Sequence, residues 1–304
     1  MFGSIIIPTI GRAALARAVE SALAQASAEP FEIIVVNDGH LPLAPAAWQQ
    51  ARQVRVITTG GGRERSAARN AGAALAAGRY LNFLDDDDWL LPGALDTWAA
   101  LARRSSAAWL YGAAQLSDDA GRVLFQFQHD LTGECLTPAM TGEWIPLQAS
   151  AIAADKFRAV GGFDLSFHVA EDKDLLVRLC RLYPVAGTAR PVAGILRGTW
   201  ATSSDYSAMP AEVQRSRELI LNQPGTFGRL WASAPTPYWR AKIARAYGIS
   251  AVWNLRHGQG RRAVRRAAGA MLAGACARLD LLRPSYWRAF ARHHLTPGFE
   301  PPSA

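Results

Sequence analysis

The sequence is poor in cysteine and in charged residues. Only 19% of its 304 residues are charged and half are apolar, which excludes a disordered chain and a disulfide-rich mini-domain. The three cysteines, Cys135, Cys180 and Cys276, are far apart and lack the CxxC or Cys/His spacing of zinc sites. We therefore expect buried or idle thiols in a reducing compartment.

Long apolar runs are also missing. No stretch approaches the ~18 to 20 apolar residues that a membrane-spanning helix needs. The first ten residues reach a short apolar run without a basic leader or a small-residue cleavage site, so no secretory signal is expected. The sequence thus predicts a cytoplasmic protein, which can still lie against the cytoplasmic face of a membrane.

The net positive charge of the chain comes from its last third. Residues 1–204 contain 18 basic and 20 acidic residues, whereas residues 205–304 contain 15 basic and five acidic residues. An excess of this size indicates either a region that binds anions, such as phospholipid or nucleic acid, or a well-solvated helical face.

In the first hundred residues, short apolar runs alternate with amphipathic segments. This alternation predicts a doubly wound sheet of parallel strands with helices between them. The predicted strands are residues 4–8, 32–38, 54–58 and 80–84, and the predicted helices are residues 13–26 and 64–77. In such sheets ligands bind at the carboxyl ends of the strands, and here polar residues gather at three of these ends.

The pattern changes after residue 105. A hairpin is predicted around Gly121 and a helix from residue 175 to 181, while residues 205–304 show helical periodicity and no convincing strand. We therefore expect an α/β domain over residues 1–204, with halves at 1–104 and 105–204. A basic helical region over residues 205–304 follows it.

Four consecutive carboxylates, Asp85 to Asp88, follow the fourth strand. Neighbouring like charges are costly, and a divalent cation with a preference for oxygen ligands, Mn²⁺ or Mg²⁺, would remove that cost. Because alternate residues of a strand point the same way, Asp85 and Asp87 form one predicted pair, with Asp86 and Asp88 as the other. The metal is assigned to Asp85 and Asp87, and Asp88 is expected to cap the next helix.

Six short motifs occur in a fixed order. They are IIIPTIGR at 5–12, EIIVVNDG at 32–39, RNAG at 69–72, GRYLNFLDDDDW at 78–89, GGFD at 161–164, and Glu-Asp at 171–172. Together they resemble the family 2 glycosyltransferases with a GT-A fold over about residues 1–200. The resemblance implies a nucleotide-binding mixed sheet and an inverting, metal-dependent transfer of one sugar from a nucleotide-sugar, with UDP as the expected nucleotide.

The resemblance also implies roles for individual residues. The nucleoside side would comprise Pro8, Thr9, Asp38, Arg69 and Asn70. Asp85 and Asp87 would hold ribose and the metal, and Asp172, beside Glu171, would be the general base. Two features depart from the family: the QxxRW motif of processive synthases is missing, and Arg197 lies where many relatives have Arg-x-His, so a third metal ligand is not identified.

The basic region leaves two questions open. One alternative to the enzyme is a noncatalytic or nucleic-acid-binding protein that binds its partner through residues 205–304. The sequence contains no recognisable nucleic-acid-binding motif. For an enzyme, the acceptor would be a glycan or a lipid-linked glycan of the bacterial envelope. Arg261, Arg262, Arg265 and Arg266 would then contact anionic lipid, or Val264, Met271 and Leu272 would pack against the catalytic domain or a second subunit.

Overall fold

The computed structural model describes residues 1–118, 120–128, 131–196 and 208–291. The chain divides into two compact units. The sheet unit comprises residues 1–133 and 145–208, and the helical unit comprises residues 134–144 and 209–304. The limit at residue 204 stays a prediction, and the assignment of residues 134–144 to the helical unit was not foreseen.

A single mixed sheet forms the centre of the sheet unit. Its strands are β1 (Gly3–Thr9), β2 (Phe31–Asn37), β3 (Val54–Thr58), β4 (Tyr80–Phe83), β5 (Trp89–Leu90), β6 (Trp109–Ser117), β7 (Val123–Phe127), β8 (Ser150–Ala153) and β9 (Val185–Leu196). They lie in the order β3-β2-β1-β4-β8-β6-β9-β5, with β7 paired to β6. The mixed α/β class predicted from the sequence is therefore confirmed.

The four predicted strands form the parallel part of the sheet. β1 lies between β2 and β4, so that Ile6 faces Ile34 on one side and Phe83 on the other. All three side chains are fully buried, as expected for apolar runs covered on both faces. Beyond β4 the direction changes, because β8 runs antiparallel to both β4 and β6 while β9 runs parallel to β6.

Helices cover the sheet of this unit. They are α1 (Leu15–Leu23), α2 (Glu64–Leu75), α3 (Ala94–Arg104), α5 (Ala154–Ala159) and α6 (Glu171–Cys180). Gly72 brings α2 close to the sheet, since a Cβ at this position would lie 2.5 Å from Ile6 Cγ2 and 3.0 Å from Val36 Cγ2. The glycine of the RNAG motif thus lets the helix pack directly on β1 and β2.

The helical unit contains α4 (Leu136–Thr141), α7 (Met209–Leu221), α8 (Thr226–Ala232), α9 (Pro237–Arg256), α10 (Gly260–Cys276) and α11 (Pro284–Ala291). α10 and α11 both pack against α9. A buried ion pair ties α10 to α7, with Arg266 Nη2 at 2.9 Å from Glu218 Oε2. No helix in the described ranges is long and apolar enough to cross a membrane.

Candidate functional site

Polar side chains meet at the carboxyl ends of β1, β2 and β4. The backbone N–H of Asp38, after β2, donates to the carbonyl oxygen of Thr9, at the end of β1, over 2.8 Å. The Thr9 hydroxyl donates to Asp86 Oδ2, after β4, over 2.5 Å. The structure therefore brings together three strand ends that the sequence predicts to lie at one edge, and Pro8 lies buried in β1 beside them.

Asp38 is held by the loop that follows β3. Its carboxylate accepts the Thr59 hydroxyl in a short hydrogen bond and the backbone N–H of Arg63 at 3.0 Å and 3.2 Å. The intervening segment Gly60 to Gly62 has positive φ throughout, a backbone that glycine adopts without strain. The carboxylate of Asp38 is nearly buried in this setting, and its contact with a nucleobase stays a prediction.

The four carboxylates lie in a turn and not on an extended strand. β4 ends at Phe83, and the backbone N–H of Asp88 closes the turn on the carbonyl oxygen of Asp85 at 3.1 Å. The side chains of Asp85 and Asp87 are 27% and 28% exposed, whereas those of Asp86 and Asp88 are buried. The exposure of the side chains thus separates Asp85 and Asp87 from Asp86 and Asp88, the same two pairs that the sequence predicted. The reason given for the pairing, an extended strand through all four residues, was wrong.

Asp88 is not a helix cap. α3 begins after Gly93, which occupies the N-cap position with φ 80°, and the Asp88 carboxylate accepts the backbone N–H of Leu196 in β9 over 2.9 Å. Burial, together with the neighbouring Asp85 and Asp87, raises the pKa of Asp88 well above its usual value. Asp88 therefore joins the turn to β9, and its assignment as a cap was wrong.

Arg69 of α2 connects the aspartate turn to the acids of α6. Its Nη2 lies 2.5 Å from Asp85 Oδ1, and its Nη1 lies 2.9 Å from Glu171 Oε1. Burial alone would raise the pKa of Asp85, because it disfavours the charged carboxylate. The charge and hydrogen bond of Arg69 act in the opposite direction, and the net result is a lowered pKa. Gln148 Nε2 donates to the other oxygen of Asp85 over 2.8 Å.

Two further arginines lie against the same turn. Arg12 Nη1 is 2.9 Å from Asp87 Oδ2, and its Nη2 is 3.4 Å from Asp86 Oδ1. Arg17 Nη2 donates to the carbonyl oxygen of Asp87 over 2.6 Å. Burial nevertheless raises the pKa of Asp86 to about 6. Arginines therefore supply positive charge beside these carboxylates, where the sequence predicted only a metal ion.

Glu171 and Asp172 form the first turn of α6. Acidic side chains are favoured there because the helix dipole presents its positive end. Glu171 is almost fully buried, and burial with the adjacent Asp172 raises its pKa despite Arg69 and Arg65. Asp172 is half-buried and accepts the backbone N–H of Lys173 over 2.7 Å. The two acids thus differ, with Glu171 fixed in the network and Asp172 more accessible.

Asn70 contacts the GGFD turn. Its Nδ2 donates to the carbonyl oxygen of Phe163 over 2.8 Å, and its Oδ1 accepts the backbone N–H of Phe163 over 3.0 Å. A Cβ at Gly162 would lie 2.7 Å from that same Oδ1, and Gly162 has φ 68°. The structure therefore gives Asn70 a defined structural contact, and its role toward a nucleotide stays a prediction.

The protein supplies no complete set of metal ligands in the part of the chain that the structure describes. There, no group of three or more His, Cys, Asp or Glu side chains is placed to hold a metal ion. Arg197 stands where the resemblance led us to look for a third metal ligand, and it lies outside the described residues. Asp85 and Asp87 retain partly exposed carboxylates, which suits Mg²⁺ or Mn²⁺ completed by water and phosphate oxygens.

Sequence reasoning missed Arg12 and Gln148. Arg12 stands in the motif IIIPTIGR, but its partner Asp87 is 75 residues away. Gln148 lies 63 residues from Asp85 and in a different half of the predicted domain. Gln148 lies two residues before β8, and no local pattern in the sequence links it to Asp85.

The first part of the chain is similar to a known family of enzymes. Residues 4–133 match the model of the family described as "Glycosyl transferase family 2". An uncharacterized glycosyltransferase of Haemophilus influenzae is 25% identical over 58% of this chain and 61% of its own length. The succinoglycan biosynthesis protein ExoO of Rhizobium meliloti is 40% identical over 31% of this chain and 26% of its own length. The chain thus spans less than two thirds of these relatives.

Solved structures share the fold over most of the chain. The structure of S. aureus TarS residues 1–349 superposes with a TM-score of 0.62 at 16% identity, covering 95% of this chain and 90% of that chain. The same protein in complex with UDP-GlcNAc gives a TM-score of 0.62 at 18% identity, covering 95% and 89%. At this identity the likeness establishes the fold, a GT-A-type mixed sheet with a helical C-terminal part.

Proposed function

Because residues 4–133 match the family 2 glycosyltransferases, we propose that the chain is an inverting, nonprocessive glycosyltransferase. It moves one sugar from a nucleotide-sugar to a hydroxyl group of an acceptor. The observation that carries the proposal is the buried bridge of Arg69, which joins Asp85 on the donor side to Glu171 beside Asp172. The family match favours this enzyme over the nucleic-acid-binding alternative.

The donor is proposed to be a UDP-sugar. The fold is shared with S. aureus TarS, which has been solved in complex with UDP and with UDP-GlcNAc. Ligands of such sheets lie at the carboxyl ends of the strands, where this chain places Thr9, Asp38 and Asp85. Pro8, Thr9 and Asp38 would frame the base, with Arg69 and Asn70 behind them on α2.

A divalent metal ion, Mn²⁺ or Mg²⁺, is proposed to bind Asp87 and Asp85, with the donor diphosphate as a further ligand. When bound, it would neutralise charge on the departing diphosphate. These two residues fit a metal ion because their side chains are partly exposed, Asp87 at 28% and Asp85 at 27%. Each carboxylate also retains lone pairs that its arginine partner does not use. A site of two carboxylates completed by phosphate oxygens is the usual arrangement for Mg²⁺.

Asp172 is proposed to be the general base. The acceptor hydroxyl oxygen forms a bond to the anomeric carbon while the bond from that carbon to the diphosphate oxygen breaks, and the hydroxyl proton passes to Asp172. Attack on the face opposite the leaving group inverts the configuration, so no second carboxylate is needed as a nucleophile. Glu171, held by Arg69, fixes the start of α6 and thereby the position of Asp172.

The acceptor is proposed to be a glycan or a lipid-linked glycan in the synthesis of a bacterial envelope polysaccharide. The supporting relative is ExoO, a succinoglycan biosynthesis protein that is 40% identical over 96 residues. Synthesis from nucleotide-sugars would take place in the cytoplasm, and a lipid-linked acceptor would place it at the cytoplasmic face of the membrane.

Replacing Asp87 by alanine tests the metal assignment. We expect UDP together with Mn²⁺ to raise the melting temperature of the parent protein, and we expect this effect to be lost in Asp87→Ala because one of the two ligands is gone. Sugar transfer should fall to background. Thermal shift with UDP, with and without Mn²⁺, and nucleotide release measure these effects.

The matched control is Asp96→Ala, which removes an exposed carboxylate on α3 that hydrogen-bonds Ser27. This variant should retain the Mn²⁺-dependent response to UDP and the transfer activity. Full activity of the parent protein in the presence of a chelator would overturn the metal assignment while leaving the transferase proposal standing.

A further inference from the structure

One side of α10 is packed inside the helical unit, and the opposite side is exposed and apolar. Ala263, Arg266 and Ala273 on its inner side are buried. On the opposite side Val264 and Met271 are each 70% exposed, and Leu272 is 48% exposed. Within the described residues of the helical unit these three side chains are therefore left uncovered, and what they contact stays a prediction.

The exposed residues form one stripe along the helix. Positions 264, 268, 271, 272 and 275 follow the spacing i, i+4, i+7, i+8, i+11, which places them on one side of an α-helix. All five are apolar and exposed: Val264, Ala268, Met271, Leu272 and Ala275, here named the outer α10 stripe. Leu279, just past the helix, is also highly exposed. Contiguous apolar patches on protein surfaces are common at interaction sites.

Exposed arginines lie beside this stripe. Arg261, Arg262 and Arg265 in the first two turns of α10 are exposed. Arg266 differs from them, since it is buried against Glu218 and cannot reach a surface, which corrects its inclusion in the predicted cluster. The ion pairs Arg240–Asp280 and Arg266–Glu218 of this unit do not involve the three exposed arginines, and Arg262 donates to Gln259 Oε1 over 2.8 Å.

We propose that the outer α10 stripe lies in the interface of an anionic phospholipid membrane. The stripe would bury its apolar side chains at the level of the lipid headgroups, while Arg261 and Arg265 reach the phosphate groups alongside. Charge decides against a second copy of the chain, because residues 205–304 carry 15 basic and five acidic residues and two such surfaces repel each other. Binding of lipid by this helix goes beyond the proposed sugar transfer and does not depend on it.

Co-sedimentation of the full-length protein with lipid vesicles tests the proposal. We expect binding to vesicles of equal parts phosphatidylcholine and phosphatidylglycerol, no comparable binding to pure phosphatidylcholine, and release in high salt as the charges are screened. The double variant Arg261→Gln/Arg265→Gln should bind about thirtyfold more weakly, since each arginine near an anionic surface contributes a factor of about five.

A second variant separates the apolar contribution from the charge. Val264→Ser/Met271→Ser keeps every arginine and should still weaken binding by about tenfold, because the side chains that enter the interface are lost. Both positions are exposed, so the helix is expected to fold, and circular dichroism checks this. Arg103→Gln/Arg104→Gln on α3 of the sheet unit serves as a matched control with the same change in net charge and should bind as the parent does.

Two results would overturn the proposal. One is the absence of binding to the phosphatidylglycerol vesicles at low salt. The other is equal loss of binding in the α3 control, which would mean that net charge alone drives the association. A dimer seen by analytical ultracentrifugation that Val264→Ser/Met271→Ser dissociates, without vesicle binding, would assign the stripe to a second copy instead.

Discussion

Asp172→Asn is expected to lower kcat by about 10² to 10⁴, the usual contribution of a general base, with little change in donor binding. Asparagine keeps the volume of the side chain and its hydrogen-bond acceptor toward Lys173, but it cannot take the proton of the acceptor hydroxyl. Steady-state kinetics of sugar transfer, together with UDP titration by calorimetry, separates these two effects.

Asp155→Asn is the matched control for this change. Asp155 also lies in the first turn of a helix, α5, and it forms an exposed ion pair with Lys156. Its variant should retain parental kinetics. If Asp172→Asn also stays within a few fold of the parent, Asp172 is not the base, and Glu171→Gln is the next variant to examine.

Arg69→Met is expected to lower the free energy of unfolding by about 3 to 5 kcal/mol, the range for breaking a buried ion pair from one side. Methionine fills a similar volume but leaves Asp85 and Glu171 without the cation between them. Sugar transfer should be lost as well, because both acids are then free to move or to become protonated. Urea unfolding followed by circular dichroism measures the stability change.

The loss should depend on pH in a defined direction. Arg69 lowers the pKa of Asp85 in the folded protein, so its stabilising effect is complete above the unfolded pKa and fades as the pH falls through the folded value. The difference between parent and Arg69→Met is therefore largest near neutral pH and smaller in acid.

Arg65→Met provides the comparison for this variant. Arg65 lies on the same helix, and its Nε is 3.3 Å from the same Glu171 oxygen, but its side chain is 39% exposed. Exposed ion pairs contribute little, so we expect a change below about 1 kcal/mol. Equal destabilisation by the two variants would show that burial of Arg69 is not what makes its ion pairs important.

The parallel part of the fold could be predicted from the sequence because each of its strands is a short apolar run. The isoleucines of β1 and the valines of β2 are buried from both faces, and such strands need no alternating pattern. The edge at which Thr9, Asp38 and the aspartates meet followed from the same reasoning, since parallel strands end on one side.

Partners distant in sequence could not be predicted. The rule that alternate residues share a face failed for Asp85 to Asp88, because β4 ends two residues earlier and a turn decides where these side chains lie. Arg12 and Gln148 are paired with this turn across 75 and 63 residues, separations that no local pattern reports. Arg266 likewise shares a basic run with exposed arginines, and only its place on the inner face of α10 distinguishes it.

A donor screen tests the central claim of sugar transfer from a nucleotide-sugar most directly. The purified protein is incubated with UDP-, GDP- and TDP-sugars in Mn²⁺ or Mg²⁺, and the release of nucleoside diphosphate is measured with a mixture of envelope glycans as acceptors. We expect release from a UDP-sugar that depends on the acceptor and is lost in Asp172→Asn. Absence of release from every donor, combined with no stabilisation by any nucleoside diphosphate, would contradict the assignment of this site to a glycosyltransferase.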